Sequence, residues 1–184
     1  IVILKNDPED SNKITLLKEW RENNQDAFPT SSKITRKGTQ QWLKNAVLER
    51  EDRLMFFVED IYGDTIGHVG ISSFDYKNKT CEVDNIIRGK ISKQSQVMKY
   101  AMQALLCWID EHIAPEYIYL RVFNDNTNAI NLYYKLGFQV DSLYPLKRVD
   151  NHKESKWIAS DTEVMRFFML MKIKSSEIDK GLIK

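Results

Sequence analysis

Glycine and proline are scarce in this chain, seven and four among 184 residues, and it holds only two cysteines and three histidines. The cysteines, Cys81 and Cys107, stand apart in apolar surroundings rather than in CxxC or CxxxC pairs. That argues against a disulfide framework and against a zinc site, so no metal is expected. No apolar run approaches the ~20 residues that crossing a bilayer requires, and the first residues lack the charged-then-apolar order of a secretion signal. No membrane partner and a cytoplasmic location are therefore expected. A surplus of charge is missing as well: 27 Lys and Arg against 26 Asp and Glu leave a net charge of +1, too weak a field to imply nucleic acid as a partner.

What is present, 42% hydrophobic and 29% charged residues, suits a globular protein rather than a disordered or fibrous one. The length suits one domain over 1–184 with a single sizeable core. Along the chain, strand-like and helix-like segments alternate without a long linker. A short β-branched run over 1–4 breaks at Pro8, Asp10 and Ser11, before Ile14, Leu16, Leu17 and Trp20 recur at helical spacing. Residues 28–36, with Pro29 and several hydroxyls, read as a loop. In 37–50, Trp42, Leu43, Ala46 and Val47 form the stripe of a second helix.

The apolar run 54–58, the turn chemistry of Tyr62-Gly63-Asp64, and Ile66, Val69 and Ile71 predict a hairpin. In 80–88 alternation places Cys81, Val83, Asn85 and Ile87 on one face and Glu82, Asp84, Ile86 and Arg88 on the other. Residues 95–112 are apolar nearly all round and predict a buried helix, ended by Pro115. The strand over 117–123 follows through this helix and should run parallel to its predecessor, a β-α-β crossover. A further helix over 127–136 closes at Gly137, where a left-handed residue is needed. A strand starts at 138–140, 141–161 reads as a long connection, and 162–173 as the last strand. The expected class is α/β (α+β): a mixed, mostly antiparallel sheet with a central β-α-β crossover, flanked by helices.

The segment Asn126-Thr127-Asn128-Ala129-Ile130-Asn131-Leu132-Tyr133-Tyr134-Lys135-Leu136-Gly137-Phe138 closely resembles the Asn-x-x-Ala-x-x-Leu-Tyr-x-Lys-x-Gly-Phe signature of the GNAT N-acetyltransferases, and the order of elements matches that superfamily over nearly the whole chain. From the residues alone, Asn126 sits where its amide can cap the helix, and Tyr133 lies two turns along the same face. The resemblance implies that acetyl-coenzyme A (acetyl-CoA) is the co-substrate, bound where the two parallel strands splay. It assigns contacts with it to Ile86, Ile87, Arg88, Lys93, Gln94, Ser95, Gln96, Val97, Met98, Asn124, Asn126, Ala129, Tyr133 and Lys135. A backbone N–H of the first parallel strand would hold the oxyanion, and Tyr133 would protonate the departing thiolate; the alternative for Tyr133 is an aromatic packed on the sheet.

Family members usually carry a loop of the form Arg/Gln-x-x-Gly-x-Gly/Ala before the crossover helix, so that backbone N–H groups cradle the pyrophosphate. Here residues 88–97 hold only Gly89, earlier than the pattern places it, leaving Lys93, Gln94 and Ser95 to supply charge, donors and helix-start amides. Asp84 and Glu82, two residues apart on one strand face, are candidates for the base that takes the amine proton; the other reading is a solvated face paired with nearby cations. His68 reads as structural, His112 as a helix-end interaction, and His152 as a residue of the late connection.

The run Asp84-Asn85-Ile86-Ile87-Arg88-Gly89, followed by the Met98 helix, is similar to acetyltransferases of nucleotide-linked amino sugars. On that reading, Tyr144, Lys147, Arg148, His152, Lys153, Lys156 and Trp157 of the late connection cover the acceptor and meet its phosphates. The expected function is acetyl transfer to a primary amine by direct attack, with a small-molecule amine as partner and a homodimer allowed. A protein, peptide or antibiotic acceptor is the alternative, as is a GNAT-like module that binds coenzyme A without chemistry.

Overall fold

A computed structural model of the chain describes residues 2–3, 11–152 and 154–181. In chain order the elements are β1 (Val2–Ile3), α1 (Ser11–Asn23), β2 (Thr30–Ser32), α2 (Arg36–Leu43, continued by a π-helical turn Lys44–Leu48), β3 (Arg53–Glu59), β4 (Thr65–Asp75), β5 (Thr80–Arg88), α3 (Val97–His112), β6 (Tyr117–Phe123), α4 (Thr127–Lys135), β7 (Gln139–Asp150), β8 (Glu154–Ala159) and β9 (Arg166–Lys174). The strands form one nine-stranded sheet in the order β1-β3-β4-β5-β6-β9-β7-β8-β2. Among the described residues only β5 and β6 pair in parallel, joined through α3. This is the mixed, mostly antiparallel α/β sheet with one central crossover that the sequence predicts. No helix of the described residues is long and apolar enough to cross a membrane.

Each face of the sheet has its own core. On one side α3 packs Met102, Leu105, Leu106 and Ile109, and α4 packs Ile130 and Tyr133, in one core with Phe56, Val69, Ile71, Val83, Ile118 and Leu120. On the other, α1 and α2 bring Ile14, Leu17, Trp20, Leu43 and Val47 onto Met55, Phe57 and Ile87. Each such fully buried aliphatic side chain contributes roughly 1.5–3 kcal/mol, so the sheet is fixed from both sides.

Residues 141–161 are not a connection. They form most of β7 and all of β8, β7 pairing with β9 on one edge and β8 on the other. The strand pattern is invisible in sequence because nearly every residue of β7 except Leu146 is at least partly exposed, so no apolar face is needed, and Pro145 interrupts the run. The expected loop over 28–36 likewise contains β2, whose Thr30, Ser31 and Ser32 pair with β8. The last strand starts at Arg166 rather than at 162. Lys153, the break at Pro8 and Asp10, and the ends of the expected first strand lie outside the described residues.

The alternation expected along β5 holds to Asp84 and then reverses. Asn85 takes φ +50°, a left-handed conformation that asparagine tolerates better than most residues. Ladder pairing with β4 passes from Gly70↔Asp84 to His68↔Ile87, so Asn85 and Ile86 together oppose Val69 as a β-bulge. Ile87 is thereby turned into the α1/α2 core while Ile86 packs toward α3. The buried His68 holds the bulge: its Nδ1–H donates to the Asn85 carbonyl. Beyond the bulge, Gly89 passes so close to Trp20 that a Cβ there would lie 2.1 Å from the indole ring.

Burial holds the His68 imidazole down to about 4, against a hydrogen bond to Asn85 that favours its charged form. The unfolded chain therefore takes up its proton first as pH falls, so stability is full above about pH 6.5 and declines toward pH 4, by at most about 3 kcal/mol. Urea midpoints across pH 4–7 should show that slope, and His68→Gln should flatten it. Gly89→Ala, which forces the Trp20 ring aside, should cost about 1–3 kcal/mol in the same experiment; an unchanged midpoint would show that the ring yields freely.

Candidate active site

β5 and β6 share a parallel ladder only through Thr80↔Tyr117, Cys81↔Ile118 and Glu82↔Tyr119. Past these pairs the bulge carries β5 away, although it stays bound to β4 as far as Arg88. The β6-facing edge of β5 is thus left without a neighbouring strand, and a cleft of about 1070 Å³ opens there. Of the residues assigned from sequence, Glu82, Asp84, Ile86, Ile87, Arg88, Gln94, Ser95, Gln96, Val97, Met98, Asn126, Ala129, Tyr133 and Lys135 all line it. Two do not. Lys93 is exposed outside the cleft, and Asn124 faces β9, where its Oδ1 accepts from the Phe167 N–H at 3.0 Å.

On the α3/α4 side the cleft meets two helix N-termini. Asn126 caps α4 by accepting from Ala129 N–H at 3.2 Å. α3 has no side-chain cap: its N-cap residue Gln96 has φ +59°, and its first N–H groups open where Gln96, Val97 and Met98 line the cleft. Such an end favours an anion, and Arg88, Lys99 and Lys135 add positive charge. Sequence reasoning missed what shapes this loop in place of glycine. Ser92 donates to the Asp60 carboxylate at 2.6 Å and receives the Gln94 N–H at 3.0 Å, and the Gln94 amide oxygen accepts from Ile61 N–H at 3.3 Å. Asp60, in the β3–β4 turn, also receives the N–H groups of Tyr62 and Asp64.

Tyr133 lies at the bottom, 5% exposed, with its ring against Phe138. Burial pushes its phenol above the ordinary value, so the hydroxyl stays protonated at neutral pH. Cys81, in the α3-side core, is pushed up to about 12 by burial and by Glu82, which removes it as a thiolate nucleophile.

On the α1/α2 side Glu82 and Asp84 share a face, as the alternation predicts, and both are paired. Glu82 accepts two N–H groups of Arg121, at 2.9 and 2.5 Å. Asp84 accepts from Arg53 at 2.7 Å, from the Ser72 hydroxyl at 2.9 Å and from the Asn85 amide at 3.1 Å. Burial raises its pKa against these partners. Arg21, Phe28, Pro29 and Thr30 close this side, with Phe123 stacked on Phe168 at the far wall.

The residues expected to meet acceptor phosphates are elsewhere. Lys147 pairs with Glu163, Arg148 with Asp150 and Lys156 with Glu154 on the exposed β7–β8 surface. Tyr144 is exposed there too. Among the described residues of that set, only Trp157 approaches the site, edge-on to Phe123. His112 bonds the Trp108 carbonyl within the last turn of α3.

Residues 3–139 match the family model described as "Acetyltransferase (GNAT) domain". No curated protein sequence matches the chain. Among solved structures, the chain is similar to the spermidine N-acetyltransferase of Vibrio cholerae in complex with CoA and spermine, at TM-score 0.71 and 15% identity over 96% of this chain and 94% of that one. It is similar to a probable GNAT-family acetyltransferase from Chromobacterium violaceum, at TM-score 0.72 and 12% identity over 95% and 83%. A putative phosphinothricin N-acetyltransferase follows at TM-score 0.63 and 18% identity over 91% and 96%. At such identities the structures establish the fold, and the family rests on the sequence match over most of the chain together with a cleft built by the parted strands and the Asn126–Phe138 segment. The chain belongs to the GNAT acetyltransferases, which use acetyl-CoA as the acetyl donor to an amine.

Proposed function

We propose that the cleft transfers acetyl directly to the primary amine of a small molecule, with Tyr133 as general acid and Asp84 as the acceptor of the amine proton. The observation that carries this is the buried, protonated Tyr133 at the base of the parting between β5 and β6. Acetyl-CoA supplies the thioester carbon that the amine attacks. The residues present suit it: the uncapped N-terminus of α3 with Arg88, Lys99 and Lys135 for the phosphates, and the open edge of β5 for an amide-bearing chain.

Tyr133 then holds a proton for the sulfur that leaves, a role worth about 10²–10⁴-fold in rate for a well-placed acid. Asp84 is favoured over Glu82 as base because burial raises its proton affinity against its bonds to Arg53, Ser72 and Asn85. A nucleotide-linked amino sugar is our reading for the acceptor. It is supported by Arg21, the cation of the α1/α2 wall that neither Glu82 nor Asp84 pairs with. The polyamine named for the Vibrio cholerae structure would bring further positive charge beside that guanidinium.

Tyr133→Phe should lower kcat by about 100-fold while leaving the KM for acetyl-CoA within a few-fold; undiminished turnover would end the acid assignment. In Asp84→Asn the rise of kcat/KM with pH that tracks carboxylate ionisation should disappear, and a profile matching that of the unaltered protein would move the base elsewhere. Acetyl-CoA binding without turnover of any amine would leave the non-catalytic module as the reading.

A further inference from the structure

We propose that Arg21 is the specificity-determining residue of the acceptor side, binding a carboxylate or phosphate carried by the same molecule that presents the amine. This rests on the transferase reading above and adds the chemical class of its acceptor. Three arginines line the α1/α2 side of the cleft, and two are neutralised: Arg53 by Asp84, Arg121 by Glu82. Arg21 is the third. Its guanidinium lies 4.0 Å above the Phe28 ring, and among the described residues no carboxylate or other hydrogen-bond acceptor meets it.

Burial lowers its pKa, and its charge in turn acts on His68 beneath the β5 bulge. Arg21 is half-buried and lines the cleft, next in sequence to the Trp20 that packs on His68. Its N–H groups face the cleft without a protein acceptor among the described residues, so an anion arriving there gains charge-assisted hydrogen bonds without displacing an existing ion pair. Its position over the Phe28 ring holds the guanidinium in place, and its N–H groups suit bidentate recognition of a planar carboxylate or of a phosphate. Asn24 and Thr30, which line the same wall, offer neutral hydrogen-bonding groups beside it. A linear polyamine brings no anion to complete this site and adds positive charge next to it.

The test uses matched acceptors with acetyl-CoA: glycine against glycinamide, glutamate against its diamide, glucosamine 1-phosphate against glucosamine, and spermidine. Acetyl-CoA binding to each protein variant is measured first by calorimetry. At least one anionic member should exceed its neutral partner by about 10-fold or more in kcat/KM, the usual worth of one charge-assisted pair. Which pair responds tells carboxylate from phosphate. Arg21→Gln should close that gap to within about twofold by raising KM for the anionic member, with acetyl-CoA affinity unchanged, and Arg21→Lys should restore part of it.

Faster turnover of spermidine or of the neutral partners overturns the proposal. So does a gap that survives Arg21→Gln, or a protein that binds acetyl-CoA and turns over none of the anionic amines. Failure of the unaltered protein to bind acetyl-CoA is a different result: it overturns the transferase reading and this inference with it.

Discussion

Parallel strands β5 and β6 stay together for three residue pairs, and where their ladder ends the cleft begins. The separation must be held open, because two parted strands would otherwise regain hydrogen bonds by closing. Three contacts hold it. Asn85, left-handed, turns β5 out of register; the His68 imidazole fixes the Asn85 carbonyl from below; and Trp20 fills the space above Gly89. The last two belong to the same packing unit, since Trp20 also lies against His68 and Phe57. The α1/α2 core thus supports the shape of the strand on whose other side the α3/α4 groups assemble.

The same bulge arranges the charges. By turning β5 after Asp84, it leaves Glu82 and Asp84 on the α1/α2 face while Ile86 moves toward α3. Each carboxylate then needs a cation, because a buried charge without one costs several kcal/mol. Arg53 and Arg121 supply them from β3 and β6. Arg53 pairs opposite Ser72 in the ladder and Glu82 pairs opposite the same residue from the other side, so β4 sets the spacing between the two ion pairs. On the α3/α4 side, Arg88, Lys99 and Lys135 line the cleft beside the uncapped N-terminus of α3.

The parts legible in sequence are those whose signal is local. Asn126, Ala129, Tyr133 and Gly137 lie within one helix and its cap; Gly137 indeed has φ +94°, and the apolar surface of α3 follows from its own residues. The alternation of Ile118, Leu120 and Val122 is equally local. What was not legible depends on pairing across the chain. β7 and β8 bury too little to show a period, β2 is three hydroxyl residues that become a strand only beside β8, and the bulge shows only in the ladder with β4. Arg21 and Phe28 carry no motif. The last turn of α1 carries Arg21, and the segment after it carries Phe28, to a cleft whose other walls come from residues 53 to 168.

The glycines of the phosphate-binding loop illustrate how one backbone shape is reached by two chemistries. Gly89, too early for that loop, is required where β5 passes the Trp20 ring. Where the family pattern would use glycine to enter α3, Gln96 takes the left-handed conformation, at roughly 1–2 kcal/mol. The offset lies upstream, in the bonds from Ser92 and Gln94 to the β3–β4 turn. Each is worth about 0.5–1.5 kcal/mol, and the one to the Asp60 carboxylate more. These terms are of equal size, so the loop keeps its shape without glycine's freedom. A loop held by side chains rather than by flexible glycine presents the α3 N–H groups already in place, and binding an anion there requires less ordering.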